Sequence, residues 1–189
     1  MAHKQETKIL IIETAIEVLR TSGTEGLTLR KVATQASISL GNLQYHFKDK
    51  PALFAGLGGY YFGQCAALLD QYEGLDDSKS IEKKLRHLIL FYLDHLDELT
   101  DMCRIFRELW ALATRDIEVQ QQLNDYYRLT VEKLEAIVSE MGISPKLARE
   151  IVILLLPYFE GYSITHDSLA YNKTETAKLL TRLSMELVE

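Results

Sequence analysis

Residues 37–50 read SISLGNLQYHFKDK. The segment crowds Asn42, Gln44, Tyr45 and His46 into one short stretch, a set of side chains that a buried helix rarely carries. Ser39 is placed to cap a helix that ends near Phe47. In that helix Leu43 and Phe47, four residues apart, face a core. Leu40 and Gln44, flanked by Gly41 and Tyr45, then face outward. Just upstream, Thr28 can cap a helix ending at Ala36, with Leu27 and Val32 as its hydrophobic staple and Val32, Ala33 and Ala36 turned inward. Ser37-Ile38-Ser39 is left as a turn of three to four residues between two short helices, which is helix-turn-helix spacing.

Working outward, Ile9, Ile12, Ile16 and Leu19 recur at helical spacing and predict an amphipathic helix over about 7–22, with Gly23 as its stop. Downstream, Asp49 can cap a fourth helix with Pro51 in its first turn. That helix contains Gly56, Gly58, Gly59 and Gly63, for which two readings stay open: close helix packing, or a compliant helix that transmits motion. After a polar linker over 74–80, helices are expected at about 80–99, 102–114, 116–141, 145–168 and 173–188. Pro157 is expected to kink the eighth helix or remove one of its hydrogen bonds. The expected fold class is all-α.

The chain has 189 residues, with 47% apolar and 25% charged side chains, an ordinary balance for a soluble domain. The sequence opens without a charged-then-apolar leader. The apolar run 151–159 is much shorter than the ~20 residues of a membrane span, so a cytoplasmic protein is expected. Cys65 and Cys103 lack partners at zinc-ligand spacing and read as buried free thiols; no metal or cofactor is expected. No HExxH, Gly-x-Ser-x-Gly or phosphate-loop pattern occurs, so an enzyme is not expected. Net charge is −6, yet residues 1–50 carry seven Lys/Arg against five Asp/Glu, a local +2 on an acidic remainder of −8. An N-terminal segment suited to phosphates is one reading of that asymmetry.

The segment Ile9–Leu53 resembles the DNA-binding domain of TetR-family transcriptional regulators. The resemblance is carried by the first-helix stripe, by GLTLRKVATQASISLGNLQYHF and by KDKPALF. It implies nine helices, a homodimer, an operator-reading domain over 1–50 and a helical effector-binding and dimerisation domain over 51–189. The function it implies is a repressor released from operator DNA by a small molecule. A helical adaptor, or a DNA-binding protein with a non-transcriptional role and no effector, is the alternative. The chain departs from the family at Leu40, often basic there, and at Gln44, often aromatic, so an operator sequence does not carry over.

The expected DNA-binding residues are Thr28, Arg30, Ser39, Leu40, Gly41, Asn42, Gln44, Tyr45, His46 and Lys50. Gly41 permits close approach to a duplex. Gln44 can bond adenine N6 and N7. Tyr45 and His46 look like the family's phosphate contacts. Lys50 and Thr28 sit at helix starts, where free N–H groups attract phosphate, and Lys31 can supplement Arg30. Leu40 keeps two readings: contact with a thymine methyl, or cover for a neighbouring helix. For an effector pocket, apolar walls with a few polar groups point to Phe91, Phe106, Trp110 and Tyr127, with His95 and Glu108 as polar anchors, although aromatic residues at helical spacing also build ordinary cores. Ile151, Leu155, Tyr158, Tyr162, Leu179 and Leu183 make apolar faces suited to a four-helix dimer interface.

Overall fold

A computed structural model describes residues 2–98, 100–170 and 172–188, without the side chains of 2–3, 65–66, 96–98 and 100–105. The expected thiol environments of Cys65 and Cys103 lie outside the described side chains. Among the described residues there are nine α-helices and no strand: α1 Ala2–Gly26, α2 Leu29–Gln35, α3 Leu40–His46, α4 Lys50–Leu68, α5 Ile81–Glu98, α6 Thr100–Ala113, α7 Ile117–Glu140, α8 Pro145–Thr165 and α9 Lys173–Glu186. The all-α, nine-helix expectation holds. The chain divides into two units, residues 1–64 with 104–125 and residues 65–103 with 126–189.

In the first unit, the sequence places the caps correctly. The Thr28 hydroxyl oxygen accepts from the Lys31 amide at 3.2 Å, that of Ser39 from Asn42 at 3.1 Å, and the Asp49 carboxylate from Ala52 at 2.9 Å. Each satisfies an amide that its helix cannot pair. Gly23 does take a left-handed backbone (φ 64°), but it kinks α1 rather than ending it, and the helix resumes to Gly26. The buried face of α1 is Ile11, Ile12, Ala15, Val18 and Leu19, whereas Ile9 and Ile16 are only part-buried. The buried stripe is thus centred slightly to one side of the expected one. The turn after α2 is a Schellman motif. Ile38 N–H donates to the Ala33 carbonyl at 3.0 Å and Ser37 N–H to Thr34 at 3.2 Å, with Ser37 at φ 55° where glycine is usual.

Within α4, two of the four glycines serve close packing. A Cβ at Gly56 would lie 2.3 Å from Phe47 Cε1, and one at Gly58 would lie 3.2 Å from Leu109 Cδ2; Gly59 and Gly63 face open space. Residues 50–71 are long and apolar enough for a membrane span, but Leu53, Phe54, Leu57, Tyr61 and Phe62 in this helix are core residues.

The second unit packs α5 with α8 and α9. Tyr92 of α5 stacks on Phe159 of α8, ring centroids 4.3 Å apart and planes 12° apart. Ser144 caps α8 ahead of Pro145, and Asn172 and Glu175 form a reciprocal capping box on α9. α8 continues through Pro157, whose missing N–H leaves one carbonyl of the preceding turn without its usual donor. Three of the residues expected at a dimer interface are corrected here. Ile151, Leu155 and Tyr162 are 0, 2 and 4% exposed, members of the unit's own core. A side chain already covered by its own chain offers no surface to a second one.

Candidate DNA-binding surface

The third helix is held by one face. Leu43 (0% exposed) and Phe47 (4%) are buried, while Tyr45 on the other side is 68% exposed. Gly41, Asn42 and Gln44 are also exposed, as are Thr28, Arg30 and Ser39, whereas Leu40, His46 and Lys50 are part-buried. A Cβ at Gly41 would meet nothing closer than Ser39 Oγ at 4.0 Å. The chain's own packing therefore does not require glycine there, and the residue's small size faces outward.

Two cations predicted to reach phosphate are anchored inside the unit. The Lys50 ammonium donates to the Thr24 carbonyl at 2.7 Å, leaving two of its three donors uncommitted to that bond. Lys31 donates to Ser22 Oγ at 2.6 Å, which turns it toward α1. Arg30 remains exposed. Thr28 accepts as a cap and still has its own O–H to donate.

Two residues to which the sequence pattern assigns no role lie beside the α3 end. Lys4 Nζ is 4.8 Å from the Tyr45 ring centroid, and Lys8 Nζ is 5.8 Å from that of Phe47. The Tyr45 and His46 rings meet edge-on at 5.3 Å. Burial, then the Lys4 and Lys8 charges, hold the His46 imidazole below its usual pKa. The sequence signals for these lysines are the basic excess of residues 1–50 and their i,i+4 spacing, which puts both on one face of α1.

The residues expected to line an effector pocket are not gathered in one unit. Phe106, Glu108 and Trp110 belong to the first, where Phe106 packs edge-on against Phe62 at 5.7 Å and Trp110 is 49% exposed. Phe91, His95 and Tyr127 belong to the second. There the Phe91 and His95 rings lie 4.4 Å apart. Tyr127 donates to the carboxylate of Glu160, a residue outside the expected set. Burial raises the Glu160 pKa to about 7 against that hydrogen bond. A cleft of about 480 Å³ in the first unit is lined by residues including Lys8, His46, Gly56, Tyr60 and Gln122, and by none of the six expected pocket residues. No cluster of three or more potential metal ligands occurs among the described residues.

A short capped helix, buried on one side and polar on the other, behind a tight turn from a second helix, is a helix-turn-helix DNA-reading unit. The sequence profile of bacterial regulatory proteins of the tetR family matches residues 11–57. An HTH-type transcriptional regulator in the dhlA 5′ region of Xanthobacter autotrophicus is 37% identical, over 93% of this chain and 87% of its own length. The chain belongs to the tetR family of bacterial transcriptional regulators. A transcriptional regulator from Rhodococcus sp. Rha1 has the same fold at TM-score 0.72 and 19% identity, covering 96% of this chain and 95% of that one. The fatty acid degradation regulator FadR from Bacillus halodurans does so at TM-score 0.62 and 18% identity, covering 94% and 93%.

Proposed function

We propose that this regulator is a homodimeric, cytoplasmic repressor that leaves its operator when a small molecule binds its helical body. The observation that carries the reading is the outward face of α3. Gln44 and Gly41 are exposed there while Leu43 and Phe47 lock the opposite side. In this reading residues 1–50 read DNA and residues 51–189 bind effector and partner subunit. Gln44 discriminates adenine, Leu40 contacts a thymine methyl, and Asn42, Tyr45, His46, Thr28, Ser39, Arg30 and Lys50 position the backbone.

A single three-helix module makes few contacts, and two-fold pairing doubles them and fixes half-site spacing. The surface available for pairing is Ile153 (65% exposed), Leu154 (37%) and Leu183 (37%), with part-buried Tyr158 and Leu179 beside them in sequence. An effector site in the second unit is supported by Glu160 and Tyr127, a part-buried carboxyl with a neutral hydrogen-bond partner among apolar helices. A relative named as a fatty acid metabolism regulator, from Bacillus subtilis and 24% identical, makes fatty acids the first compounds to screen.

Gel-shift titration on the intergenic DNA upstream of its own gene tests the reading. A specific shift that a screened metabolite reverses is expected. A specific shift that no metabolite reverses leaves a regulator without an effector. Equal binding to any duplex of that length contradicts operator reading.

A further inference from the structure

We propose that Lys4 and Lys8, on the first turns of α1, form with Tyr45 and His46 a second phosphate-holding edge beside the recognition helix, gripping DNA backbone that flanks the base-reading face. The inference rests on the DNA-reading role of α3 and extends it to residues outside the family match at 11–57.

α1 starts at Ala2, but its core-facing residues begin only at Ile11. Residues 4–6, 8 and 10 are exposed and only Thr7 and Ile9 are part-buried, so burial of apolar surface accounts for little of this helical extension. Lys4 and Lys8 stand one turn apart on one face, about 6 Å along the axis. Both reach the C-terminal end of α3, Lys4 over the Tyr45 ring and Lys8 over that of Phe47. Among the described residues no carboxylate lies within ion-pair distance of either ammonium. The exposed Tyr45 ring orients the Lys4 ammonium without neutralising it. Burial first, and then the Lys4 and Lys8 charges, disfavour a proton on His46. Two cations without an ion pair among the described residues, a phenol hydroxyl and a part-buried imidazole at one edge suit the phosphodiester oxygens of a duplex.

The test compares wild type, K4Q/K8Q, K4R/K8R and K146Q, the last a solvated lysine of α8, by fluorescence anisotropy from 50 to 300 mM salt. The probes are the upstream intergenic duplex and a scrambled duplex of equal length. Removing one lysine from a phosphate lowers the slope of log K against log salt by about one. K4Q/K8Q is expected to lower the slope by about two per subunit on both duplexes and to weaken binding at least tenfold at 150 mM salt, without changing the ratio between them. K4R/K8R should retain the wild-type slope, and K146Q should match wild type. Wild-type slopes in K4Q/K8Q overturn the inference, as does a reduced slope that arginine fails to restore. If wild type shows no preference for the upstream duplex, the operator reading fails while the scrambled-duplex slopes still decide the lysine edge. If wild type binds neither duplex at 50 mM salt, both fall.

Discussion

Gly56 faces the ring of Phe47 so closely that a Cβ there would sit 2.3 Å from Cε1. Phe47 is the C-cap of α3 and only 4% exposed, so the ring has little room to retreat. Gly59, one turn away, opens on free space. Gly59→Ala should therefore stabilise the protein by up to about 1 kcal/mol through helix propensity. In Gly56→Ala the same gain is opposed by overpacking of about 1–3 kcal/mol, and we expect net destabilisation with weakened DNA binding as α3 is displaced. Urea unfolding of the two variants checks this. Equal stabilisation by both would show that Phe47 yields freely.

Ser37 holds a left-handed conformation at φ 55° between the two helices of the DNA-reading unit. Ser37→Gly removes the Cβ strain and should stabilise the domain by about 0.5–1 kcal/mol. Ser37→Val, β-branched, should cost about 1–2 kcal/mol. Thermal unfolding followed by circular dichroism measures both, and the order Gly above Ser above Val is the expected result.

The cap residues show why so much of this unit was legible. Thr28, Ser39 and Asp49 act on amides three residues away, so their signal is local and survives without knowledge of the fold. Ser37 was not legible as a left-handed residue because the sequence mark of that motif is glycine. Ile151, Leu155 and Tyr162 were misassigned for a different reason: a broad apolar face on α8 does not say whether its own chain or a second subunit covers it. Phe106 and Trp110 illustrate the same ambiguity, since core and pocket wall have the same composition. Lys4 and Lys8 depended on where α1 begins, and periodicity marked that start too late.

Gln44 and Tyr45 occupy neighbouring positions, and the proposed function gives them different roles. Gln44→Ala should lower affinity for the operator by about 1–3 kcal/mol and leave binding to unrelated duplexes unchanged. Tyr45→Phe keeps the ring over which Lys4 sits but removes the hydroxyl, so it should weaken both kinds of duplex alike. Anisotropy titrations against operator and scrambled DNA separate the two outcomes. A uniform loss from Gln44→Ala would mean that it holds backbone and does not read a base.

Glu160 gives a pH prediction. Its folded pKa of about 7 lies above the ordinary 4.5, so between those values the folded state holds a proton that the unfolded state has released. This stability is fully present below about pH 4.5 and is lost as pH rises through about 7. The total is at most on the order of 3 kcal/mol. Glu160→Gln cannot ionise and escapes that loss. Urea unfolding at pH 5, 6.5 and 8 should show the variant gaining on wild type as pH rises. A difference that stays constant with pH would contradict a carboxyl that holds its proton in the folded state.

In the proposed function, two copies of the exposed α3 face enter successive turns of one duplex groove. Hydroxyl-radical footprinting on the upstream intergenic DNA tests it most directly. Two protected patches on one side of the duplex, centred about one helical turn or a whole multiple of it apart, are expected, and they should vanish in Gln44→Ala at concentrations that saturate wild type. A single unpaired patch, or protection spread evenly along the fragment, would contradict it.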